Sequence, residues 1–158
     1  MSTKAFVPTR RIRDIMSKEV VYIDCGDTVH EALNLMVENR VSALPVVNGK
    51  LQCVGMISTS DLVGIARDVN EDLLDLDELT SLRGAWLVDK LRQEFGDTSL
   101  VDLMSLDVET VGPETTIHEA AREMLRYQVH RLPVVDQKKR LLGIVSTMDL
   151  LQVLAEGA

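Results

Sequence analysis

The chain repeats itself. Displaced by about 88 residues, it aligns on itself without a gap over about 49 positions, of which about 20 are identical. DIMSKEVV at 14–21 falls on DLMSLDVE at 102–109, and TVHEA at 28–32 falls on TIHEA at 116–120. VSALPVV at 41–47 falls on VHRLPVV at 129–135, and GMISTSDL at 55–62 falls on GIVSTMDL at 143–150. A unit of roughly 50 residues buries little apolar surface alone, so the two copies are expected to pack their sheets and helices together.

Each copy reads the same way locally. A short β-branched run at 20–23 or 108–111 suits a strand. Thr28 with Glu31, and Thr116 with Glu119, have capping-box spacing ahead of a helix. Behind those caps Val29, Ala32, Leu33, Met36 and Val37 recur at helical spacing, as do Ile117, Ala120, Ala121, Met124 and Leu125, which predicts one buried stripe per helix. Leu44-Pro45-Val46-Val47 and Leu132-Pro133-Val134-Val135 read as strands opened by a proline. Asn48-Gly49 favours a tight turn into 53–57, and the charged 136–140 takes its place before 141–145. A second helix starts at Ser58 or Ser146. The order strand, helix, strand, strand, helix places the chain in the α/β (α+β) class as two β-α-β-β-α repeats.

Between the copies, 67–100 is too long for a structureless loop in a compact domain. Leu73, Leu76, Leu79, Leu82 and Trp86 make an apolar stripe that calls for burial, Leu87, Leu91 and Phe95 extend it, and Gly96 is placed to stop a helix. The acidic residues Glu71, Asp72, Asp75, Asp77 and Glu78 read as a solvated face. The expected organisation is a basic arm at 1–11, a first domain at 12–66, a helical insertion at 67–100 and a second domain at 101–158.

Composition narrows the function classes. A formal charge of −8 argues against a general nucleic-acid binder, which needs a basic face to release counterions from phosphates. No segment resembles a signal peptide or reaches membrane-spanning length. The two cysteines, Cys25 and Cys53, form no disulfide framework and no metal motif, and a reducing, cytoplasmic setting follows. No P-loop, magnesium-binding carboxylate cluster or activated nucleophile is present, so an enzyme is not expected.

The repeated Gly-x-x-Ser-x-x-Asp holds the most chemistry: Gly55, Ser58 and Asp61 in one copy, Gly143, Ser146 and Asp149 in the other. One reading is a helix cap, with Ser at the N-cap and Asp three residues on. The other is a ligand site, where Ser donates to a phosphate at a helix N-terminus and Asp accepts from ribose hydroxyls. Spacing leaves both open. Just ahead of the proline strand the copies part, Ser42-Ala43 against His130-Arg131. Arginine offers a fork of donors matched to phosphate, while an exposed His and Arg are also ordinary surface residues. His30 and His118 start equivalent helices without the converging ligands zinc needs.

VSALPVV, VHRLPVVD and GIVSTMDLLQVL resemble cystathionine beta-synthase (CBS) domains, most closely those of the AMP-activated protein kinase gamma subunit. The resemblance covers both repeats and leaves out the arm and the insertion. It implies a Bateman module, two CBS domains packed about a pseudo-twofold axis around two clefts assembled crosswise. Carried over residue by residue, Asp149, Ser146 and Ile144 would face Ser17, Val20, Val21, Val41 and Ser42. Asp61 and Ser58 would face Ser105, Val108, Val129 and His130. Apolar side chains and strand backbone would hold adenine, Asp the ribose, and Ser146, His130 and Arg131 the phosphate. The cleft lacking the His/Arg pair would be empty or weaker.

The expected function is therefore regulatory and non-enzymatic: binding AMP, ADP or ATP and passing the change to an effector protein. NAD and S-adenosylmethionine stay open as ligands. The resemblance also implies a homodimer, formed through helices into a flat four-domain disc, with no nucleic-acid or membrane partner. The alternative is an interaction and dimerisation module without a small-molecule ligand.

Overall fold

The computed structural model describes residues 10–66 and 82–157. The expectations for Leu73, Leu76, Leu79 and the acidic run at 71–78 lie outside those residues. Helix and strand are mixed as expected, with a short first helix that was not expected: α1 (Ile12–Ile15), β1 (Ile23–Asp24), α2 (Val29–Asn39), β2 (Ala43–Val47), β3 (Cys53–Ser58), α3 (Thr59–Ile65), α4 (Leu82–Phe95), α5 (Ile117–Tyr127), β4 (Arg131–Val135), β5 (Leu141–Ser146) and α6 (Thr147–Ala155). No described helix is long and apolar enough to cross a membrane.

The chain forms two compact units. One is Val21–Val108, and the other joins the chain up to Val20 to the part from Glu109 onward. Each has its own core. In the first, Leu33, Met36, Leu44 and Ile57 meet Leu87, Val88, Leu91 and Phe95 of α4. In the second, Ile12 lies fully buried among Ile117, Met124, Leu132, Val145 and Leu150.

The helix starts form as the spacing predicts. Thr28 and Glu31, and Thr116 and Glu119, make reciprocal capping boxes, and the Thr116 amide draws the Glu119 carboxyl below its usual range. The first amides of α2 and α5 are met from outside the repeat. Val29 N–H donates to the Thr98 carbonyl at 3.0 Å, and Ile117 N–H reaches the Arg10 carbonyl at 3.4 Å. Two different stretches of chain thus do the same job for the two helices.

Several local expectations change. The strands expected at 20–23 and 108–111 shrink to Ile23–Asp24, parallel to Val46–Val47, and a single bridge between Val111 and Val134. One register step back would bring Tyr22 and Thr110 to Pro45 and Pro133, which have no N–H for a ladder. Leu125, expected in the buried stripe of α5, is 79% exposed. Trp86, expected to be buried, is 42% exposed with the Lys90 ammonium 6.0 Å from its ring centre, because α4 turns Leu87, Val88, Leu91 and Phe95 to the core instead.

The hairpin loops also differ from a two-residue turn. Asn48 Oδ1 accepts from the amides of Lys50 (2.9 Å) and Gln52 (3.0 Å), and Asp136 Oδ1 accepts from those of Lys138 and Arg140, both at 2.9 Å. The Arg140 amide, followed by its guanidinium, draws the Asp136 carboxyl below its usual range. The left-handed position falls on Leu51 (φ 62°) and Lys139 (φ 65°), not on Gly49. A side chain costs about 1–2 kcal/mol in that region, partly offset by glycine's entropy loss of roughly 0.5–1 kcal/mol. The double variant Leu51→Gly/Lys139→Gly is therefore expected to melt about 2–4 °C higher, for a gain of about 1 kcal/mol. Calorimetric melting checks this, and a lower Tm would show that Leu51 contributes more by packing than it loses in strain.

Candidate functional site

The lead-in segments decide how each Gly-x-x-Ser-x-x-Asp is framed. Within the unit containing α6, Ser17 and Ile144 exchange two backbone hydrogen bonds, Ser17 N–H to the Ile144 carbonyl at 2.9 Å and Ile144 N–H to the Ser17 carbonyl at 3.0 Å. Within the unit containing α3, Met56 and Ser105 do the same at 3.0 and 2.8 Å. Each lead-in therefore forms an edge beside the sheet of the copy to which it does not belong in sequence.

This close approach explains the glycines. A Cβ at Gly143 would lie 2.7 Å from the Ser17 carbonyl oxygen and 2.8 Å from Met16 Sδ. At Gly55 it would lie 2.9 Å from the Ser105 oxygen and 3.0 Å from Met104 Sδ. Sequence reasoning missed that Met16 and Met104 press on these glycines; the signal was the recurrence of Met-Ser with Gly in both copies.

At the end of β5, Ser146 caps α6. Its Oγ accepts from Asp149 N–H at 3.2 Å, and Asp149 Oδ2 accepts from Ser146 N–H at 2.8 Å. The capping reading is thus realised, yet it uses only part of the chemistry: the Ser146 hydroxyl proton and the second oxygen of half-buried Asp149 have no partner among the described residues. In α3 the Ser58 oxygen accepts from Asp61 N–H at 3.1 Å, and Asp61, exposed, returns no bond among the described residues.

Arg131 is the informative residue. It lies directly opposite Ser146 in the β4–β5 ladder, so the two share a face of the sheet. It is half-buried, and burial pushes its guanidinium below the usual arginine value. Its guanidinium forms no ion pair or hydrogen bond among the described residues. A partly desolvated cation without a counter-charge is costly, and an anion relieves that cost. Its neighbour His130 is exposed, with its carbonyl held by Thr147 N–H at 2.9 Å. In the other copy Ala43 lies opposite Ser58, and the Ser42 carbonyl receives Thr59 N–H at 3.0 Å. The frame is the same and the cation is missing.

The remaining expected residues divide between the units. Ser17, Val20, Val129, His130, Arg131, Ile144, Ser146 and Asp149 lie in one, and Val21, Val41, Ser42, Ser58, Asp61, Ser105 and Val108 in the other. Val20, Val21, Val41, Val108 and Val129 are each half-buried, and Ser17 and Ser105 are exposed. Among the described residues no group of three or more His, Cys, Asp or Glu side chains is placed to hold a metal ion.

Comparison with known proteins adds four findings. Residues 12–68 and 100–156 each match the family model described as the CBS domain. The uncharacterised protein MJ1426 of Methanocaldococcus jannaschii is 35% identical over 153 residues, covering 90% of both chains. The AMP-activated protein kinase subunit gamma-3 of Sus scrofa is 37% identical over 123 residues, 78% of this chain, but the match spans only 21% of that subunit. Among solved structures, CBSX2 in complex with AMP superposes with a TM-score of 0.70 at 25% identity, covering 93% of this chain and 97% of that one.

Proposed function

The chain belongs to the CBS-domain family as a tandem pair, and on that premise we propose that it is a regulatory, non-enzymatic module that binds an adenosine nucleotide. The observation that carries this reading is Arg131: a half-buried cation without a counter-charge among the described residues, opposite Ser146 at the start of α6. An anionic phosphate matches it in charge and in fork geometry. Ser146 and His130 add donors, the free oxygen of Asp149 accepts from the ribose diol, and Ile144, Val20 and Val129 of the same unit offer apolar surface to adenine, beside the backbone of Ser17. Ser58, Asp61, Ser105 and Val108 make a second location, which lacks a cation at Ala43 and so favours a weakly charged adenosine compound or none.

AMP, ADP and ATP fit this donor set. NAD also carries phosphate, and S-adenosylmethionine shares only the adenosine half. Partners on this reading are a second copy of the chain and an effector protein that reads the bound state. The free thiols Cys25 and Cys53 go with a cytoplasmic setting. The completed cap between Ser146 and Asp149 favours a second reading, an interaction and dimerisation module with no small ligand.

Titration calorimetry with AMP, ADP, ATP, NAD, S-adenosylmethionine and adenosine separates the two readings. On the first, Asp149→Ala weakens nucleotides and adenosine alike and costs about 1 kcal/mol of stability through the lost cap, so ligand-free melting is measured alongside. Failure of every adenosine compound to bind the wild-type chain would leave the interaction module.

A further inference from the structure

One unit carries a cover over its helices, and the other shows none among the described residues. On α2–α3, Val63 is 1% exposed and shares one buried cluster with Leu87, Val88, Leu91 and Phe95 of α4, against which Val37 and Ala66 also pack. Arg92 of α4 donates to Asn34 Oδ1 on α2 and fixes the helix there. The counterparts of Val63, Ala66 and Val37, about 88 residues later, are Leu151, Leu154 and Leu125, which are 54%, 60% and 79% exposed. An apolar patch of this kind, roughly 300–600 Å² at its largest on a typical monomer, often marks a contact.

The covering helix is also the approach to the stretch that caps α2. After Phe95 and Gly96, the Thr98 carbonyl accepts from Val29 N–H at 3.0 Å. For α5 the Arg10 carbonyl takes that place, accepting from Ile117 N–H at 3.4 Å. Arg10 and Thr98, like Val29 and Ile117, stand at the repeat offset of about 88 residues. The chain ahead of Arg10 therefore holds the position in the repeat that α4 holds ahead of Thr98. Arg10 Nη1 also lies 3.8 Å from Glu156 Oε2, so the chain enters beside the end of α6, close to Leu154.

Residues 1–9 lie outside the described residues, and their sequence suits the place. Phe6-Val7 falls at the repeat offset on Glu94-Phe95, and Phe6 and Phe95 are the two phenylalanines of the chain. Nine residues reach about 30 Å when extended, while α5, with 11 residues, is about 16 Å long. We infer that the α5–α6 face receives the N-terminal arm of its own chain, with Ala5, Phe6 and Val7 set against Leu151 and Leu154 as α4 is set against α2–α3. This goes beyond the ligand reading and does not depend on it.

Thiol labelling of the full chain carrying Cys25→Ser and Cys53→Ser tests it. Leu154→Cys is the reporter, and Leu106→Cys, at a position 70% exposed in the other unit, is the reference. N-ethylmaleimide is expected to react at the reporter about tenfold more slowly than when Phe6→Asp and Val7→Asp are added, and to do so over a roughly thousandfold range of protein concentration. The reference is expected to react at one rate with and without those two changes. Cover by the chain's own arm is indifferent to dilution, whereas cover by a second copy fades with it. Equal reporter rates with and without Phe6→Asp/Val7→Asp overturn the inference, and protection lost on dilution overturns it in favour of a second copy. An equal rise at reporter and reference overturns it as well, because the arm would then act on the whole chain and not on this face. The calorimetric test of nucleotide binding is decided separately from all of these outcomes.

Discussion

Arg131→Ala is expected to lower the affinity for AMP and ATP by about one to two orders of magnitude while adenosine binds as before. The figure follows from losing a charge-assisted hydrogen bond to phosphate, about 1.5–3 kcal/mol, with about 1.4 kcal/mol per tenfold change in affinity. Unliganded stability should not fall much, since the Arg131 guanidinium has no ion pair or hydrogen bond among the described residues, and relief of its desolvation works in the opposite direction. That combination distinguishes a ligand contact from a structural one. Equal loss of adenosine and AMP would mean that the substitution disturbs the β4–β5 face generally. No loss of either would remove Arg131 from the site and, with it, the main support for a phosphate-bearing ligand.

Replacing Gly143 by alanine should cost substantial stability. The added Cβ meets the Ser17 carbonyl at 2.7 Å and Met16 Sδ at 2.8 Å. The sulfur can swing aside, but the carbonyl oxygen is held by its bond from Ile144 N–H. Overpacking of this kind costs roughly 1–3 kcal/mol, which lowers Tm by about 3–10 °C for a chain of this size. Because the same clash pries Ser17 from Ile144, nucleotide affinity should fall as well, although a methyl at position 143 adds no contact to the ligand. Gly49→Ala is the control: nothing lies within 4 Å of its added Cβ, and its φ is not left-handed. Thermal melting of the two variants side by side decides the matter, and equal Tm values would mean that the lead-in segment is not tightly held against β5.

The expected function joins these two results. If both hold, the glycine of Gly-x-x-Ser-x-x-Asp serves the close approach of the lead-in backbone, the serine and aspartate serve the helix cap and the ligand together, and the arginine selects for phosphate.

Much of this was legible in the residue order because it depends on near neighbours. The repeat, the capping boxes at Thr28 and Thr116, the proline-opened strands and the Ser146–Asp149 spacing are all local, and local hydrogen bonding reproduces them. The difference between Ser42-Ala43 and His130-Arg131 was also visible by aligning the copies. Where local reasoning failed, a distant or unexpected partner had decided the outcome. Asn48 and Asp136 organise the hairpins through side-chain oxygens, which moved the left-handed residue away from Gly49. The choice of core-facing side on α4 left Trp86 outside, because a helix with apolar residues on several sides can be buried on only one of them.

The sequence by itself determined that there are two equivalent units, what elements each contains and which residue types could meet a nucleotide. Residue spacing could not say which copy each lead-in segment would join, since DIMS and DLMS are nearly interchangeable and pairing across about 88 residues leaves no local signature; only the family resemblance implied that Ile144 faces Ser17. The tertiary structure fixes the atoms of that arrangement, with Ser17 paired to Ile144 and Ser105 to Met56. It also decided that Arg131 is half-buried with no counter-charge among the described residues, and that α4 covers one helical face while no described helix covers its counterpart. The physical reason is common to all three: burial and backbone pairing depend on what else occupies the space, and that is fixed only when segments far apart in the chain have been brought together.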